Sequence, residues 1–312
     1  MSLVVTGSVG IDTIETPDGQ RREEVLGGSC AYFAAAASFY GPVRIVGVAG
    51  EDFPPKHAET LKRFGIDTRG LERREGGKTF RWSGKYLENM DHRETTAISL
   101  NVLGEAPAPV PKEYEDSAFV FLANGPTAIQ RQFLREFPHR KLVVADTMDL
   151  WINTTRDELL ALLKEIDGLV LNYDEAELLT GMKNTVAAAQ HLLTLGPKFV
   201  VVKKGEHGCV FAHEDGIGAL PAYPAERVVD PTGAGDSFAG GMMGWLAANN
   251  AATGTKSGIS FHQLKRALAH GTVIASFTIE AFSLERLSKL TRGEVDERYR
   301  HYAEMLHLKD EE

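Results

Sequence analysis

At 312 residues, with 43% hydrophobic and 25% charged side chains, the chain is long enough for one large α/β domain plus a small appendage, and its composition is that of an ordinary globular protein. A formal net charge of −9 leaves no basic excess to release counterions, which argues against a general affinity for nucleic acid or anionic membrane. The two cysteines, Cys30 and Cys209, fit no disulfide or Cys-rich metal framework; with no basic leader before the first strand and no membrane-length apolar run, they predict a cytoplasmic protein.

In chain order, residues 3–6 read as an apolar strand, followed by the loop Gly7-Ser8-Val9-Gly10-Ile11-Asp12. Ligands of open α/β sheets lie beyond the carboxyl ends of strands, so Asp12 is placed either to accept hydrogen bonds from ligand hydroxyls or simply to cap a turn. The pair Gly27-Gly28 enters an Ala-rich helix that stops near Gly41-Pro42, and paired glycines suit a hinge, a close backbone approach or a plain helix start. Residues 44–50 read as another core strand. Residues 79–86 and 95–102 carry β-formers and alternation around the polar link 88–94, which predicts a hairpin outside the main sheet. Together, segments of about 12–26 and 78–103 are expected to form a small β lid.

From residue 118 onward, short apolar runs at 119–123, 141–145, 168–171 and 199–202 alternate with helical patterns, among them Leu159, Leu162, Leu163 and Ile166 on one face and a helix over 186–195. Such βαβ succession predicts a doubly wound, mostly parallel sheet flanked by helices. Asn124 and Asp146-Thr147 stand at strand exits and are read as cleft-facing or ordinary exit residues, with no catalytic role assigned. Asn172-Tyr173-Asp174-Glu175 leaves a strand and enters a helix, the spacing of a capping box. Lys203-Lys204-Gly205 lies at the turn between two strands; either lysine can neutralise an anion, and alternation does not say which. The ten histidines form no ligand set for zinc.

The run Asp230-Pro231-Thr232-Gly233-Ala234-Gly235-Asp236 delivers the chain into an Ala- and Gly-rich helix starting near Gly235. Leading amides of a helix have no partner within it, and Gly233 and Gly235 leave them open to an anion. A carboxylate beside an anion site makes sense as a base, which casts Asp236 as acceptor of the proton from a hydroxyl attacking a phosphoryl group. Residues 261–278 predict a long apolar helix and 294–306 an amphipathic closing helix.

This heptad resembles the signature of the ribokinase, or PfkB-type, carbohydrate and nucleoside kinase family. The resemblance implies one ribokinase-like α/β domain over residues 1–312 with a β lid, and an ATP-dependent kinase that passes the γ-phosphoryl group to a hydroxyl of a sugar or sugar derivative. It makes Asp236 the general base, with Gly233, Ala234 and Gly235 as the anion hole. It also places Asp12, Gly27 and Gly28 on the substrate, and Asn172, Lys204, Gly205, Thr232 and His270 around ATP. Glu175 is then the residue that organises Mg²⁺. The family further implies a monovalent cation (K⁺) between Asp230 and the loop after the long helix, with Ser276 a second candidate near that helix end. It also suggests a homodimer through the lid. After Gly27-Gly28 the chain departs from many sugar kinases, having Ser29 and Tyr32 where an Asn is common. Tyr32 and Phe33 support a nucleoside acceptor as the alternative, since aromatic rings can stack on a base. A non-catalytic sugar-sensing protein of the same fold is the other alternative, opposed by the intact Asp236 and Asn172/Glu175. A Rossmann dehydrogenase lacks its glycine spacing at Gly7-Ser8-Val9-Gly10.

Overall fold

The computed structural model describes residues 2–88, 90, 92–250 and 258–307. Nine strands form the main sheet in the order Gly216–Leu220, Cys209–His213, Phe199–Lys203, Gly168–Asn172, Leu142–Asp146, Phe119–Leu122, Leu3–Thr6, Val43–Gly50 and Asp67–Arg74. All neighbours are parallel except at one edge, where Cys209–His213 runs against both of its partners. Strands such as Phe119–Leu122 and Leu142–Asp146 are buried along their whole length, which is why they read as unbroken apolar runs.

Alternation along each strand feeds two apolar layers. Leu3 and Val5 join the layer built with helices Ser29–Ser38, Ala234–Ala248 and Phe261–Thr278, whereas Val4 joins the opposite layer, which includes Phe133, Leu159, Leu162 and Leu192. The first strand lies between Val43–Gly50 and Phe119–Leu122, so the chain winds outward on one side and then returns to wind outward on the other. That reversal opens a crevice at the carboxyl ends of the strands, where Ser8 and Asn124 meet: the Ser8 amide donates to the Asn124 carbonyl at 3.2 Å.

A second, four-stranded sheet has the order Arg21–Gly27, Gly10–Glu15, Phe80–Tyr86 and Arg93–Ser99. Its outer pairs are antiparallel and its central pair parallel. The small β lid is thus present, although its last strand starts at Arg93 and ends at Ser99, ahead of a short turn at Asn101–Gly104. Positions 89 and 91 of the predicted link lie outside the described residues. The closing helix is Arg292–Met305, started by a capping box between Thr291 and Glu294.

Candidate active site

Between the small sheet and the carboxyl edge of the large one lies a cleft of about 1090 Å³ that brings together nearly all of the residues singled out from the sequence. Its floor is the start of helix Ala234–Ala248. Gly233 caps that helix in the left-handed region at φ 75°, and a Cβ there would sit 2.3 Å from the Tyr32 ring, so both conformation and space demand glycine. No side chain caps the first turn, and Gly233, Ala234, Gly235 and Asp236 all line the cleft; the Ala234 amide donates to the Pro231 carbonyl at 3.1 Å, while the Gly235 and Asp236 amides have no intrahelical acceptor. The preceding turn is fixed by Asp230, fully buried, whose carboxylate accepts from the Thr232 amide at 2.9 Å and the Ser283 amide at 3.3 Å. The lid reaches this turn through Tyr86, whose hydroxyl lies 2.9 Å from Thr232 Oγ1.

Around Asp236 the field is set by a few charges. Burial raises the Asp236 pKa, opposed by Lys203 and then by Arg93 of the lid. Asp146, buried at the end of its strand, is pushed well above the carboxylate range by burial and then by Asp236; its Oδ1 and the hydroxyl of Thr147 have no hydrogen-bond partner among the described residues. Glu175 is raised by burial and lowered by Lys203. Both Lys203 and Lys204 line the cleft, at different places. Lys203 Nζ lies 2.7 Å from where a Gly235 Cβ would be, against the helix start, whereas Lys204 lines the cleft farther along, its amide donating to the Gly208 carbonyl. Gly205 begins the tight turn Gly205–His207, which also lines the cleft.

Asn172 and Glu175 form a reciprocal capping box: the Asn172 side chain accepts from the Glu175 amide at 2.8 Å, and Glu175 Oε2 accepts from the Asn172 amide at 2.7 Å. The capping and cleft readings are thus compatible, because both residues also line the cleft and the second oxygen of Glu175 is not used by the cap. No three His, Cys, Asp or Glu side chains converge as an all-protein metal cage among the described residues. Mg²⁺ needs no such cage, since it keeps several waters and takes one or two carboxylates plus substrate oxygens. Glu175 and the unpartnered Asp146 fit that requirement, as a divalent cation would relieve the mutual repulsion in this acid cluster.

At the other end of the cleft, Asp12 is buried with its Oδ1 unpartnered. Burial, then Asp230 and Asp236, push its pKa up to about 8. Gly27 is required beside it, because a Cβ there would fall 2.0 Å from Asp12 Oδ2. Asp12 stands in register with Trp82 and Gly10 with Phe80, so the carboxylate and the indole rise side by side from one face of the small sheet.

Two expectations need correction. His270 is not in the cleft. The cleft-facing side of helix Phe261–Thr278 carries Thr272, Ala275 and Ser276, while His270 points the opposite way, stacked on Tyr299 at 3.9 Å and bonded through Nδ1 to the Tyr40 hydroxyl at 3.2 Å. That aromatic burial lowers its pKa to about 3, so it serves as a neutral packing residue. Phe33, invoked as a stacking ring, is in the core against Phe121, with centroids 4.4 Å apart. Tyr32 does line the cleft, as do Phe80, Trp82 and Tyr86 of the lid, which are packed in a buried apolar cluster with Ile14, Leu103 and Phe282. Arg93, Phe80 and Tyr86 are cleft residues that sequence reasoning missed, whereas Asp146, read as cleft-facing or an ordinary strand exit, does line the cleft. Only the strand-exit position of Asp146 signalled its place.

Residues 1–289 match the family model for pfkB family carbohydrate kinases. A cytidine kinase of Thermococcus kodakarensis is 32% identical over 251 residues, covering 78% of this chain and 87% of that protein. Among solved structures, a Burkholderia thailandensis nucleoside kinase in complex with inosine superposes with a TM-score of 0.75 at 18% identity, covering 96% of each chain. An E. coli protein solved with ATP and Mg²⁺ superposes at 0.74 with 17% identity, over 96% of this chain and 99% of that one. No described helix is long and apolar enough to cross a membrane.

Proposed function

The chain belongs to the pfkB family of carbohydrate kinases, and from that premise we propose that it is an ATP-dependent nucleoside kinase that phosphorylates a ribose hydroxyl. The observation that carries the choice of acceptor is the wall beside Asp12. Phe80, Trp82, Tyr86, Met90 and Ile98 line that end of the cleft, and although the first three are packed in the lid's apolar cluster, an aromatic and aliphatic lining of this kind suits the face of a base. Asp12 accepts hydrogen bonds from the sugar diol. The attacking hydroxyl is held between Asp12 and Asp236, and Asp236 takes its proton as the new O–P bond forms. Amides of Gly233, Gly235 and Asp236 and the ammonium of Lys203 face the charge that develops on the phosphoryl oxygens, the Ala234 amide being held by the Pro231 carbonyl. When bound near Glu175 and Asp146, Mg²⁺ neutralises part of the phosphate charge. Asn172, Thr232, Lys204 and Gly205 border the donor side, and the lid excludes water that would otherwise accept the phosphoryl group.

The test is ADP release across nucleosides, pentoses, hexoses and sugar acids, with Trp82→Ala alongside. A nucleoside is expected to give the highest kcat/KM, and Trp82→Ala to raise its KM by roughly 10- to 100-fold through lost stacking. A free sugar as the best acceptor, with KM indifferent to Trp82, would return the acceptor to the sugar derivative suggested by the family resemblance.

A monovalent cation has a fitting place near Asp230, a fully buried carboxylate with no side-chain cation within ion-pair distance among the described residues. Burial raises its pKa, opposed by bonds from Thr232 and Ser283, and a K⁺ ion would stabilise its charged form. Replacing K⁺ with tetramethylammonium at constant ionic strength is expected to lower kcat; an unchanged rate would remove the ion from the proposal. Reduced, buried Cys30 and Cys209 suit the cytoplasm, where the proposal places the enzyme, and the outer face of the lid remains its proposed homodimer surface.

A further inference from the structure

The cleft is rich in carboxylates, with Asp12, Asp146, Glu175 and Asp236 all lining it, yet it must hold the polyphosphate of the donor. Two cations act on Asp236 from opposite walls. Lys203 is fixed in the main sheet, its Nζ against the start of helix Ala234–Ala248. The other is Arg93, the first residue of lid strand Arg93–Ser99. Arg93 stands in register with Tyr86 across the lid hairpin, so the two side chains share a face. Tyr86 shows where that face points, because its hydroxyl lies 2.9 Å from Thr232 Oγ1 in the motif turn. Arg93 lines the cleft, with its guanidinium carbon 5.9 Å from the centroid of the Trp82 ring. It is otherwise exposed, and no carboxylate lies within ion-pair distance of it among the described residues. A planar five-donor cation held over an anion hole without an acidic partner is an arrangement that a phosphoryl group completes.

We infer that Arg93 is a catalytic residue carried by the lid, which contacts the transferring phosphoryl group opposite Lys203 once the acceptor has closed the lid. The inference rests on the kinase reading of the Asp236 end of the cleft. In the step it serves, the acceptor oxygen forms its bond to Pγ and the bond from Pγ to the β-phosphate oxygen breaks. That oxygen leaves with the electron pair on ADP, and the acceptor proton passes to Asp236. Negative charge shifts from the γ-phosphoryl oxygens toward the leaving oxygen, within reach of a guanidinium on one side and an ammonium on the other. Because the arginine rides on the same sheet as Trp82 and Asp12, acceptor binding and completion of the phosphoryl site become one event. That coupling would hold ATP hydrolysis low when no acceptor is present.

The test uses the full chain with the best acceptor from the panel and compares Arg93→Met and Arg93→Lys with the parent and with Lys203→Met. Arg93→Met is expected to lower kcat by roughly 100-fold or more, with the dissociation constant for MgATP in the absence of acceptor changed by less than about threefold, since the lid contact is made only on closure. Arg93→Lys should recover part of kcat, as a point charge without the bidentate fork. Lys203→Met, on the fixed wall, should weaken MgATP binding itself. As Arg93 is exposed, a folding defect is not expected, and an unchanged melting temperature checks that. A kcat within threefold of the parent in Arg93→Met, or an effect confined to acceptor KM, would overturn the assignment while leaving the kinase intact. An inactive parent would instead count against the proposed reaction.

Discussion

Asp236→Asn is expected to lower kcat by about 10³-fold or more, while the protein stays folded and binds MgATP within a few-fold of the parent. Asparagine keeps the size and one acceptor oxygen of the carboxylate, so the helix start and anion hole persist, but it cannot take a proton at the moment of attack. The stability effect runs the other way. Burial raises the Asp236 pKa, opposed by Lys203 and Arg93, so the folded state holds the proton more tightly than the unfolded chain does. Stability is therefore lost as pH rises from the ordinary carboxylate range through the raised folded value, and removing the charge should flatten that decline. Asp12 and Asp146 should gain as well, since Asp236 is among the charges that raise each of them. Single-turnover kinetics and thermal melts at pH 6 and pH 8.5 check both halves. A kcat within tenfold of the parent would remove Asp236 from the role of base.

Asp12→Asn carries the second large effect. Acceptor kcat/KM should fall by roughly 100- to 1000-fold, as charge-assisted hydrogen bonds to two hydroxyls become weaker neutral ones and the amide nitrogen faces a donor. MgATP binding should be unaffected, because Asp12 lies at the acceptor end. In the folded protein its pKa is pushed up to about 8 from 3.8, by burial first and then by Asp230 and Asp236. The ionised form thus costs stability that is absent at low pH, appears above about pH 4 and grows until about pH 8, on the order of a few kcal/mol. Asparagine removes this cost and still accepts from the Gly28 amide. Urea denaturation should show the variant more stable than the parent, with a larger margin at pH 8.5 than at pH 5.5. A variant less stable at both pH values, with acceptor kinetics unchanged, would mean that Asp12 is only a structural residue of its lid strand. For the parent, acceptor affinity should improve as pH rises through 8, because diol recognition favours the ionised carboxylate.

Several of these residues are legible in the amino-acid sequence, for reasons specific to each. Gly233 and Gly235 lie two apart at the head of an apolar helix, and short-range backbone geometry alone leaves that helix start without a side-chain cap. Asn172 and Glu175 are three apart, the distance at which one helix turn makes them reciprocal caps, and the same turn sets them at a strand's carboxyl end. Parallel strands declare themselves as apolar runs because both faces are buried, as at Phe119–Leu122. His270 was misplaced because a position in a helix says nothing about which neighbour its face meets, and that face meets Tyr299, Trp245 and Tyr40. Phe33 was misplaced similarly, since an aromatic beside a glycine pair is equally at home in a core.

By itself, the sequence determined the α/β winding, the separate lid, the glycine-bounded helix start and the carboxylates at each end of the cleft. All of these follow from hydrophobic period, glycine placement and spacings of a few residues. Only the tertiary structure decided that Lys203 and not Lys204 meets Gly235, that Asp146 joins the acid cluster unpartnered, and that Trp82 and Arg93 of the lid face Asp12 and Asp236. Those relations join segments tens of residues apart, and they depend on strand register and on how one sheet is laid over another, which no local pattern encodes.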